Sequence, residues 1–245
     1  MFEVVTTFNQ EKHAYFSDKM LKSFDKFWSK SINLYAYVEK QKQNYNFGNN
    51  IIIKDFNDIS DKFNLFEFNY KSKEANAPFK SYKFEAIKFA HKIFTISAHL
   101  KECVSRYLIW LDSDVITINK IDENFLLQFV KTDTYFSYLG REYINFHSEA
   151  GFMIFDREND FHDTFWNEIE NMYVKGKLFN EKEWHDSYIF DVVRERLEKK
   201  NMKCLNISDL GLTRGINPME VMDNSKLGKC LRHLKGKKKN FAKNI

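Results

Sequence analysis

Apolar residues along the chain follow two spacings, one typical of strands and the other typical of helices. β-Branched and apolar residues predict strands over residues 2–8, 32–38 and 51–53, and aromatic residues at helical spacing predict an amphipathic helix over residues 15–28. A strand, a helix and another strand in this order begin a parallel sheet that carries helices on its faces. The start of the chain therefore predicts an α/β fold.

An unbroken apolar strand pattern lies near the middle of the chain. Residues 107–111 are all apolar or aromatic, and the run ends at Asp112-Ser113-Asp114. Such a run suits a central strand that is buried on both faces, and open α/β sheets bind ligands at the carboxyl ends of these strands. Two carboxylates at that position suit a hard divalent cation, which commonly coordinates phosphates as well. An Asp-rich turn that binds nothing is the alternative interpretation.

The second half of the chain continues the alternation of helices and strands. Helices are predicted over residues 78–100, 121–130, 159–173 and 184–200, strands over residues 135–139, 152–155 and 202–207, and irregular structure over residues 55–73 and 211–243. Together these elements predict a single Rossmann-like, doubly wound mixed sheet. We expect residues 1–210 to form this α/β domain and residues 211–245 to form a basic C-terminal segment that closes over the site.

The composition is that of a folded protein, with 29% charged and 17% aromatic residues among 245. No stretch reaches about 18 consecutive apolar residues and the sequence opens on a predicted strand, so we expect neither a signal peptide nor a spanning helix. The three cysteines have no C-x-x-C spacing, which favours free thiols in a reducing compartment. These features predict a cytoplasmic protein.

Positive charge is concentrated at the C-terminal end. The chain carries 38 Lys and Arg against 34 Asp and Glu, but residues 225–245 contain eight of the basic residues and no acidic one, which leaves a net charge of −4 on the rest. We therefore expect an anionic partner to meet this end, with peripheral contact to an anionic membrane surface as one candidate. Phe241 is its only aromatic residue, which argues against stacking on nucleic-acid bases.

Several single residues are candidates for the same site. Lys83 and Lys92 lie on the predicted helix over residues 78–100, where a lysine can reach a phosphate near Asp112 or, alternatively, can belong to a solvated helix face. Asp186 opens a predicted helix, either as its N-terminal cap or as a carboxylate of the site. Gly151 precedes an apolar strand, where glycine marks either a bulge or the close approach of another group.

A second polar motif lies near the end of the chain, in the sequence His233-Leu234-Lys235-Gly236-Lys237-Lys238-Lys239. Imidazole is a metal ligand, and the glycine and lysines that follow can bring backbone amides and positive charge to phosphate oxygens. With both motifs in view, the sequence resembles the glycosyltransferases of the type A fold. It is most similar to their glycogenin-like group, family 8, which combines D-x-D after a central strand with a C-terminal H-x-x-G-x-x-K.

The resemblance implies a metal site and a donor substrate. In that group the two Asp of D-x-D and the His of the second motif hold Mn²⁺ or Mg²⁺ against the diphosphate of a sugar nucleotide. The matching residues here are Asp112, Asp114 and His233. Gly236 and Lys239 match the positions that assist the phosphates. The implied partners are a UDP- or GDP-sugar and an acceptor hydroxyl on a glycan or another molecule.

The resemblance also assigns positions beside the metal. Thr7 and Phe8 fall at the end of the first strand, where the group contacts the base, and residues 150–153 match an element on the sugar or acceptor side. Glu149 stands where the group has Asn, and Asn240-Phe241 follows the second motif in place of Pro-Trp. An inverting enzyme needs a carboxylate base, for which Glu149 and Asp186 are the candidates. The glycogenin-like group retains configuration and requires no strong base.

Three other functions fit parts of the pattern. Haloacid-dehalogenase-like phosphatases also place D-x-D after an apolar strand, but near the chain start and with Thr or Val where this sequence has Ile116. Nucleotidyltransferases of a related fold require a Gly-rich loop after the first strand, and residues 6–12 contain no glycine. A module that binds sugar nucleotides or glycans without catalysis is the third alternative.

Overall fold

The computed structural model describes residues 1–40, 45–141, 146–208 and 217–235. Its strands are β1 (Phe2–Asn9), β2 (Asn33–Glu39), β3 (Ile51–Asp55), β4 (Tyr107–Leu111), β5 (Val115–Thr117), β6 (Phe136–Leu139), β7 (Glu149–Asp156), β8 (Cys204–Asn206) and β9 (Leu231–His233). Seven of them form one sheet in the order β3-β2-β1-β4-β7-β6-β8, and β5 pairs with β9 beside it. Within the large sheet only β7 runs against the common direction.

Helices cover both faces of the large sheet. They are α1 (Gln10–Phe27), α2 (Asp61–Ala75), α3 (Ala86–His99), α4 (Glu123–Leu127), α5 (His162–Val174) and α6 (Asp186–Glu198). The apolar residues of α1 and α4 pack on one face, and those of α2, α3, α5 and α6 pack on the other. This is the Rossmann-like, doubly wound mixed sheet that the sequence predicts. Within the described ranges, no helix is both long and apolar enough to cross a membrane.

The central strand β4 is buried on both faces. Leu108 and Trp110 point into the core beneath α3, while Ile109 and Leu111 point into the core beneath α1. Each of these side chains is at most 2% exposed, and burying one contributes about 1.5–3 kcal/mol. The prediction of a central strand is therefore confirmed, and the turn that follows β4 starts from a well-packed point.

Two regions differ from the sequence-based expectation. Residues 55–73, expected to be irregular, contain a short 3₁₀ helix (Phe56–Ile59) and most of α2. Phe63 and Phe66 of α2 are buried whereas Leu65 and Phe68 are exposed, so apolar residues lie on both sides of this helix and no amphipathic stripe marks it. The helix expected over residues 78–100 begins only at Ala86, after a 3₁₀ turn (Tyr82–Phe84).

The described part of the C-terminal segment, residues 217–235, is folded onto the α1 side of the sheet. It forms short helical turns and then β9, although irregular structure was expected. Leu227 and Leu231 are fully buried in the core, which fixes the segment in place. A strand of three residues is too short to produce a recognisable alternation in the sequence. Gly236 and Lys239 lie outside the described residues, as does the division expected at residue 210.

Candidate metal and active site

The D-x-D motif lies at the point where the sheet changes its strand order. From β1 the chain proceeds to β2 and β3 on one side, and β4 is added on the other side of β1. Ligands of open α/β folds bind in the crevice outside such a switch point. Asp112 follows β4 directly, and its backbone N–H donates to the carbonyl of Gly151 at 2.9 Å. The first carboxylate is therefore fixed at the carboxyl end of the central strand.

The short sheet of β5 and β9 brings the two sequence motifs together. In its antiparallel register Val115 lies opposite His233, and the N–H of Leu234 donates to the carbonyl of Asp114 at 2.9 Å. His233 Nε2 consequently lies 3.0 Å from Asp114 Oδ1 and 3.8 Å from Asp112 Oδ2. The three predicted metal ligands thus converge, although 119 residues separate Asp114 from His233.

The spacing of these three atoms suits one divalent cation. All three ligand atoms lie within 4.8 Å of one another. In an octahedral site with bonds of about 2.1 Å, adjacent ligands are about 3.0 Å apart and opposite ligands about 4.2 Å apart. The observed separations of His233 Nε2 from the two carboxylates, 3.0 and 3.8 Å, fall in this range. The spacing of Asp112, Asp114 and His233 therefore fits Mn²⁺ or Mg²⁺ once the His233 Nε2 proton is released.

Asp112 offers only one of its oxygens to such a cation. Its Oδ1 accepts hydrogen bonds from Trp110 Nε1 at 2.6 Å and from Lys92 Nζ at 2.9 Å, which leaves Oδ2 on the side of His233. Sequence reasoning did not single out Trp110, although a buried indole N–H normally has a partner and could have indicated one. The indole N–H thus fixes the rotamer of Asp112, with one carboxylate oxygen turned toward His233.

Lys92 joins the first carboxylate to a second one. Its ammonium lies 2.9 Å from Asp112 Oδ1, 2.5 Å from Asp186 Oδ2 and 2.9 Å from the carbonyl oxygen of Ala150. Burial alone would lower the pKa of Lys92, but the charges of Asp112 and Asp186 outweigh it and hold the pKa above its ordinary value. The lysine is therefore a buried cation of the site and not part of a solvated helix face.

Asp186 is the first residue of α6, and the cap of this helix is His185. His185 Nδ1 accepts from the N–H of Tyr188 at 3.4 Å, so the capping interpretation of Asp186 is wrong. Asp186 Oδ1 accepts from the N–H of Ser187 at 2.8 Å, and its other oxygen faces Lys92. The residue is thus a buried carboxylate that Lys92 connects to the D-x-D motif.

Glu149, the other candidate base, lies behind the imidazole of His233. Its Oε1 is 3.0 Å from His233 Nδ1 and accepts from the N–H of Gly151 at 3.2 Å, while its Oε2 pairs with Lys235 and lies 3.6 Å from Arg141 Nη1. Burial alone would raise the pKa of Glu149, but Lys235 and His233 hold it well below its ordinary value. The carboxylate therefore stays charged although it is buried.

The imidazole of His233 is enclosed by carboxylates and by the backbone of β7. Burial favours the neutral ring, yet Asp114 and Glu149 outweigh it and raise the pKa of His233 to about 9. Without a cation the ring is therefore positively charged at neutral pH and balances the acids around it. A Cβ added at Gly151 would lie 2.5 Å from His233 Cε1, so the glycine is needed for the close approach of this ring.

The remaining predicted residues of the described chain are Lys83, Thr7 and Phe8. Lys83 Nζ is 2.6 Å from Glu183 Oε1, and none of its described contacts is to Asp112 or Asp114. Phe8 is buried in the core on the α1 side, whereas Thr7 is partly exposed and its hydroxyl donates to the carbonyl of Tyr37 at 2.8 Å. The structure therefore brings Lys92 and Asp186 to the D-x-D motif and leaves Lys83 outside it.

Two further groups of potential ligands form hydrogen-bonded networks. In the group His147, Glu183 and His185, the N–H of Tyr188 donates to Nδ1 of His185, so Nε2 carries the ring proton and donates it to Glu183 at 2.9 Å. The lone pair of His185 thus faces the backbone N–H of Tyr188. The other group, around Glu3 and His99, is wholly buried in the core. Of the three groups among the described residues, the D-x-D group is the one that lies at the carboxyl end of the central strand β4.

The sequence matches no protein-family model and no curated protein. Among solved structures, the bifunctional glycosyltransferase WbbM in its apo form superposes with a TM-score of 0.59 at 14% identity, over 96% of this chain and 46% of that one. The glycosyltransferase GlyE of Streptococcus pneumoniae TIGR4 superposes with a TM-score of 0.51 at 13% identity, over 84% of this chain and 45% of that one. The apo form of mouse xyloside xylosyltransferase 1 gives a TM-score of 0.49 at 12% identity, over 84% of each chain.

The chain thus spans about half the length of WbbM and of GlyE. At 13–14% identity these superpositions show a shared fold.

Proposed function

We propose that this chain is a metal-dependent glycosyltransferase. It transfers a sugar from a nucleotide-diphosphate sugar, UDP- or GDP-linked, to a hydroxyl group of a glycan or another acceptor. The observation that carries the proposal is the convergence of Asp112, Asp114 and His233 at the carboxyl end of β4, within a glycosyltransferase-type fold. Two carboxylates and an imidazole at a sheet switch point suit a cation that bridges to a diphosphate.

The proposed cofactor is Mn²⁺ or Mg²⁺, held by Asp112, Asp114 and His233. When bound, such an ion neutralises the negative charge that grows on the leaving diphosphate. A monodentate Asp112 and one nitrogen ligand disfavour Ca²⁺, which takes six to eight oxygen ligands and often binds carboxylates through both oxygens. Trp110 and Lys92 contribute by holding Asp112 in the orientation that exposes a single oxygen.

Asp186 is the proposed catalytic carboxylate. Lys92 holds one of its oxygens at 2.5 Å, and its place in the first turn of α6 favours a negative charge there. In an inverting reaction it would accept the proton of the acceptor hydroxyl, and in a retaining reaction it would stabilise positive charge on the sugar. Lys92 keeps this carboxylate and Asp112 in fixed relative positions, which reduces the reorganisation needed during transfer.

The proposal is tested with a panel of UDP- and GDP-sugars and the full chain. Release of the free nucleotide is measured with Mn²⁺, Mg²⁺, Ca²⁺ or EDTA, and the melting temperature is recorded for each pair. We expect one nucleotide to raise the melting temperature only with Mn²⁺ or Mg²⁺, and the matching sugar nucleotide to be turned over under the same conditions.

A matched pair of variants makes this experiment specific. Asp114→Asn removes a charged ligand and is expected to reduce turnover by orders of magnitude. Asp122→Asn is the control, because Asp122 caps α4 through the N–H of Phe125 and asparagine caps a helix about equally well. Full turnover by Asp114→Asn would refute the metal assignment. Metal-dependent nucleotide binding without any turnover across the panel would instead identify a non-catalytic binding module.

A further inference from the structure

The imidazole of His233 lies between two carboxylates. Asp114 faces its Nε2 at 3.0 Å, and Glu149 faces its Nδ1 at the same distance from the opposite side. The ring is 4% exposed and Glu149 is 2% exposed, so neither side chain can exchange these contacts for water. Nδ1, the ring nitrogen that faces away from Asp114, thus lies at ion-pair distance from a buried carboxylate, although the geometry of this contact is not that of a hydrogen bond.

We propose that Glu149 is a positioning residue of the metal site, which fixes the orientation and the tautomer of His233. Its carboxylate keeps a proton on Nδ1, so that Nε2 presents its lone pair to the cation. Metal-binding histidines generally donate their second ring N–H to a carboxylate or a carbonyl, and this contact also strengthens the ligand. The inference rests on the proposed function, because it takes Asp112, Asp114 and His233 to be metal ligands.

The surroundings of Glu149 distinguish this role from that of a general base. Both of its oxygens are occupied, Oε1 by His233 and the N–H of Gly151, and Oε2 by Lys235 with Arg141 nearby. A base must reach the proton of the acceptor hydroxyl. Glu149 instead faces the proposed ligand His233 itself, together with Lys235 and Arg141, so its carboxylate is directed at the ligand and not at a substrate.

The first residues of β7 enclose the imidazole of His233. Glu149 holds Nδ1, and two residues later Gly151 leaves the space that Cε1 occupies. Lys235 follows His233 by two residues and pairs with the same carboxylate, so Glu149 also fastens the end of β9 to β7. The buried carboxylate of Glu149 thus contacts both the proposed ligand His233 and Lys235, which follows β9.

The test is a double-mutant cycle between Glu149 and His233, with Mn²⁺ affinity in the absence of any nucleotide as the readout. Free Mn²⁺ is followed by electron paramagnetic resonance. Glu149→Leu removes the acceptor at nearly constant volume and is expected to weaken binding about 10- to 100-fold. Glu149→Gln keeps an oxygen for the Nδ1 proton but not its charge, so we expect a smaller loss, and this variant serves if the leucine variant does not fold.

The decisive comparison is made in a His233→Ala background. If Glu149 acts through His233, adding Glu149→Gln there changes the Mn²⁺ affinity less than twofold, because no ring is left to orient. Glu3→Gln is the matched control, since Glu3 forms an equally buried pair with His99 at 2.9 Å in the core. That variant is expected to lower the melting temperature and to leave the Mn²⁺ affinity unchanged.

A second readout follows the proton itself. In ¹⁵N-histidine spectra of the Mg²⁺-loaded wild type, His233 should carry its proton on Nδ1, and Glu149→Leu should reduce that population. Unchanged Mn²⁺ affinity in both Glu149 variants would overturn the positioning role. The same holds if Glu149→Gln lowers the Mn²⁺ affinity as much in the His233→Ala background as it does in the wild type. Wild-type affinity in Asp114→Asn, or no Mn²⁺ binding by the wild type, would overturn the metal site as well. Loss of affinity in Asp114→Asn but not in the Glu149 variants would overturn the positioning role alone.

Discussion

Gly151→Ala tests the site by adding a single methyl group. The new Cβ would lie 2.5 Å from Cε1 and 2.6 Å from Nδ1 of His233, about 1 Å short of an ordinary contact between non-bonded atoms. Gly151 does not have a positive φ, so alanine suits the backbone itself. The effect of the substitution therefore arises mainly from the contact with the imidazole, with a lesser contribution from Glu149 Oε1 at 3.1 Å.

The structure indicates which of the two contacting strands, β7 or β9, moves when the methyl group is added. β7 is buried along its entire length and pairs with β4 on one side and with β6 on the other. β9 is a three-residue strand with a single strand partner in the described part of the chain. The ring and β9 will therefore move by about 1 Å while β7 stays in place. Overpacking of this kind costs about 1–3 kcal/mol, and a displacement of 1 Å in a catalytic group can cost about 100-fold in rate.

We expect Gly151→Ala to remain folded, with a slightly lower melting temperature, and to lose about 100-fold in metal-dependent turnover together with Mn²⁺ affinity. Circular dichroism, Mn²⁺ titration and nucleotide release measure the three effects. Gly48→Ala is the control, because its Cβ would meet the side-chain ends of Asp25 and Lys30 at 2.5 and 2.9 Å, and Lys30 is exposed. Wild-type Mn²⁺ affinity in Gly151→Ala, or a further loss of affinity on adding it to His233→Ala, would refute the reasoning.

Three other perturbations probe the support of the site. Trp110→Phe keeps a buried aromatic ring but removes the hydrogen bond to Asp112 Oδ1, and a hydrogen bond to a charged acceptor is worth about 1.5–3 kcal/mol. Mn²⁺ titration should therefore show weaker binding. Unchanged affinity would mean that Lys92 alone orients Asp112. Leu231→Ala opens a cavity beneath β9 and should cost about 2–5 kcal/mol in urea unfolding, whereas a cost below about 1 kcal/mol would show that β9 is not anchored there. Burial lowers the pKa of His162 from its ordinary value of 6.5. Below pH 6.5 the unfolded chain therefore takes up a proton at this residue before the folded protein does, and the free energy of unfolding falls as the pH is lowered. The melting temperature of the wild type should therefore fall more between about pH 7 and about pH 5 than that of His162→Phe, and parallel profiles would contradict this assignment.

The local sequence pattern was sufficient to predict the centre of the fold. The unbroken apolar run of β4 predicts a strand buried on both faces, and the structure confirms this because both layers of the core meet at Leu108 and Ile109. The position of Asp112 at the carboxyl end of that strand follows from the chain order alone. Neighbouring residues determine these features, so sequence periodicity records them.

Features that depend on contacts between residues far apart in the chain could not be predicted from local sequence periodicity. Lys83 and Lys92 lie on the same predicted helix, and only tertiary packing decides that Lys92 is buried between two carboxylates while Lys83 is paired near the surface. β5 and β9 have three residues each, too few for a periodic signal. Glu149 was recognisable as a departure from a motif, but its orientation toward His233 depends on that strand pair.

The pairing of β5 with β9 determines when the site can exist. Asp114 and His233 are 119 residues apart, so closing the loop between them costs about 4 kcal/mol of chain entropy before any contact is made. During synthesis the D-x-D turn emerges long before β9, and β1 to β8 precede β9 in the chain. We therefore expect the three proposed ligands to assemble late in folding, and Mn²⁺ affinity would report whether a molecule has completed this step. Once bound, the ion would act as a reversible cross-link between the middle of the chain and its last described strand.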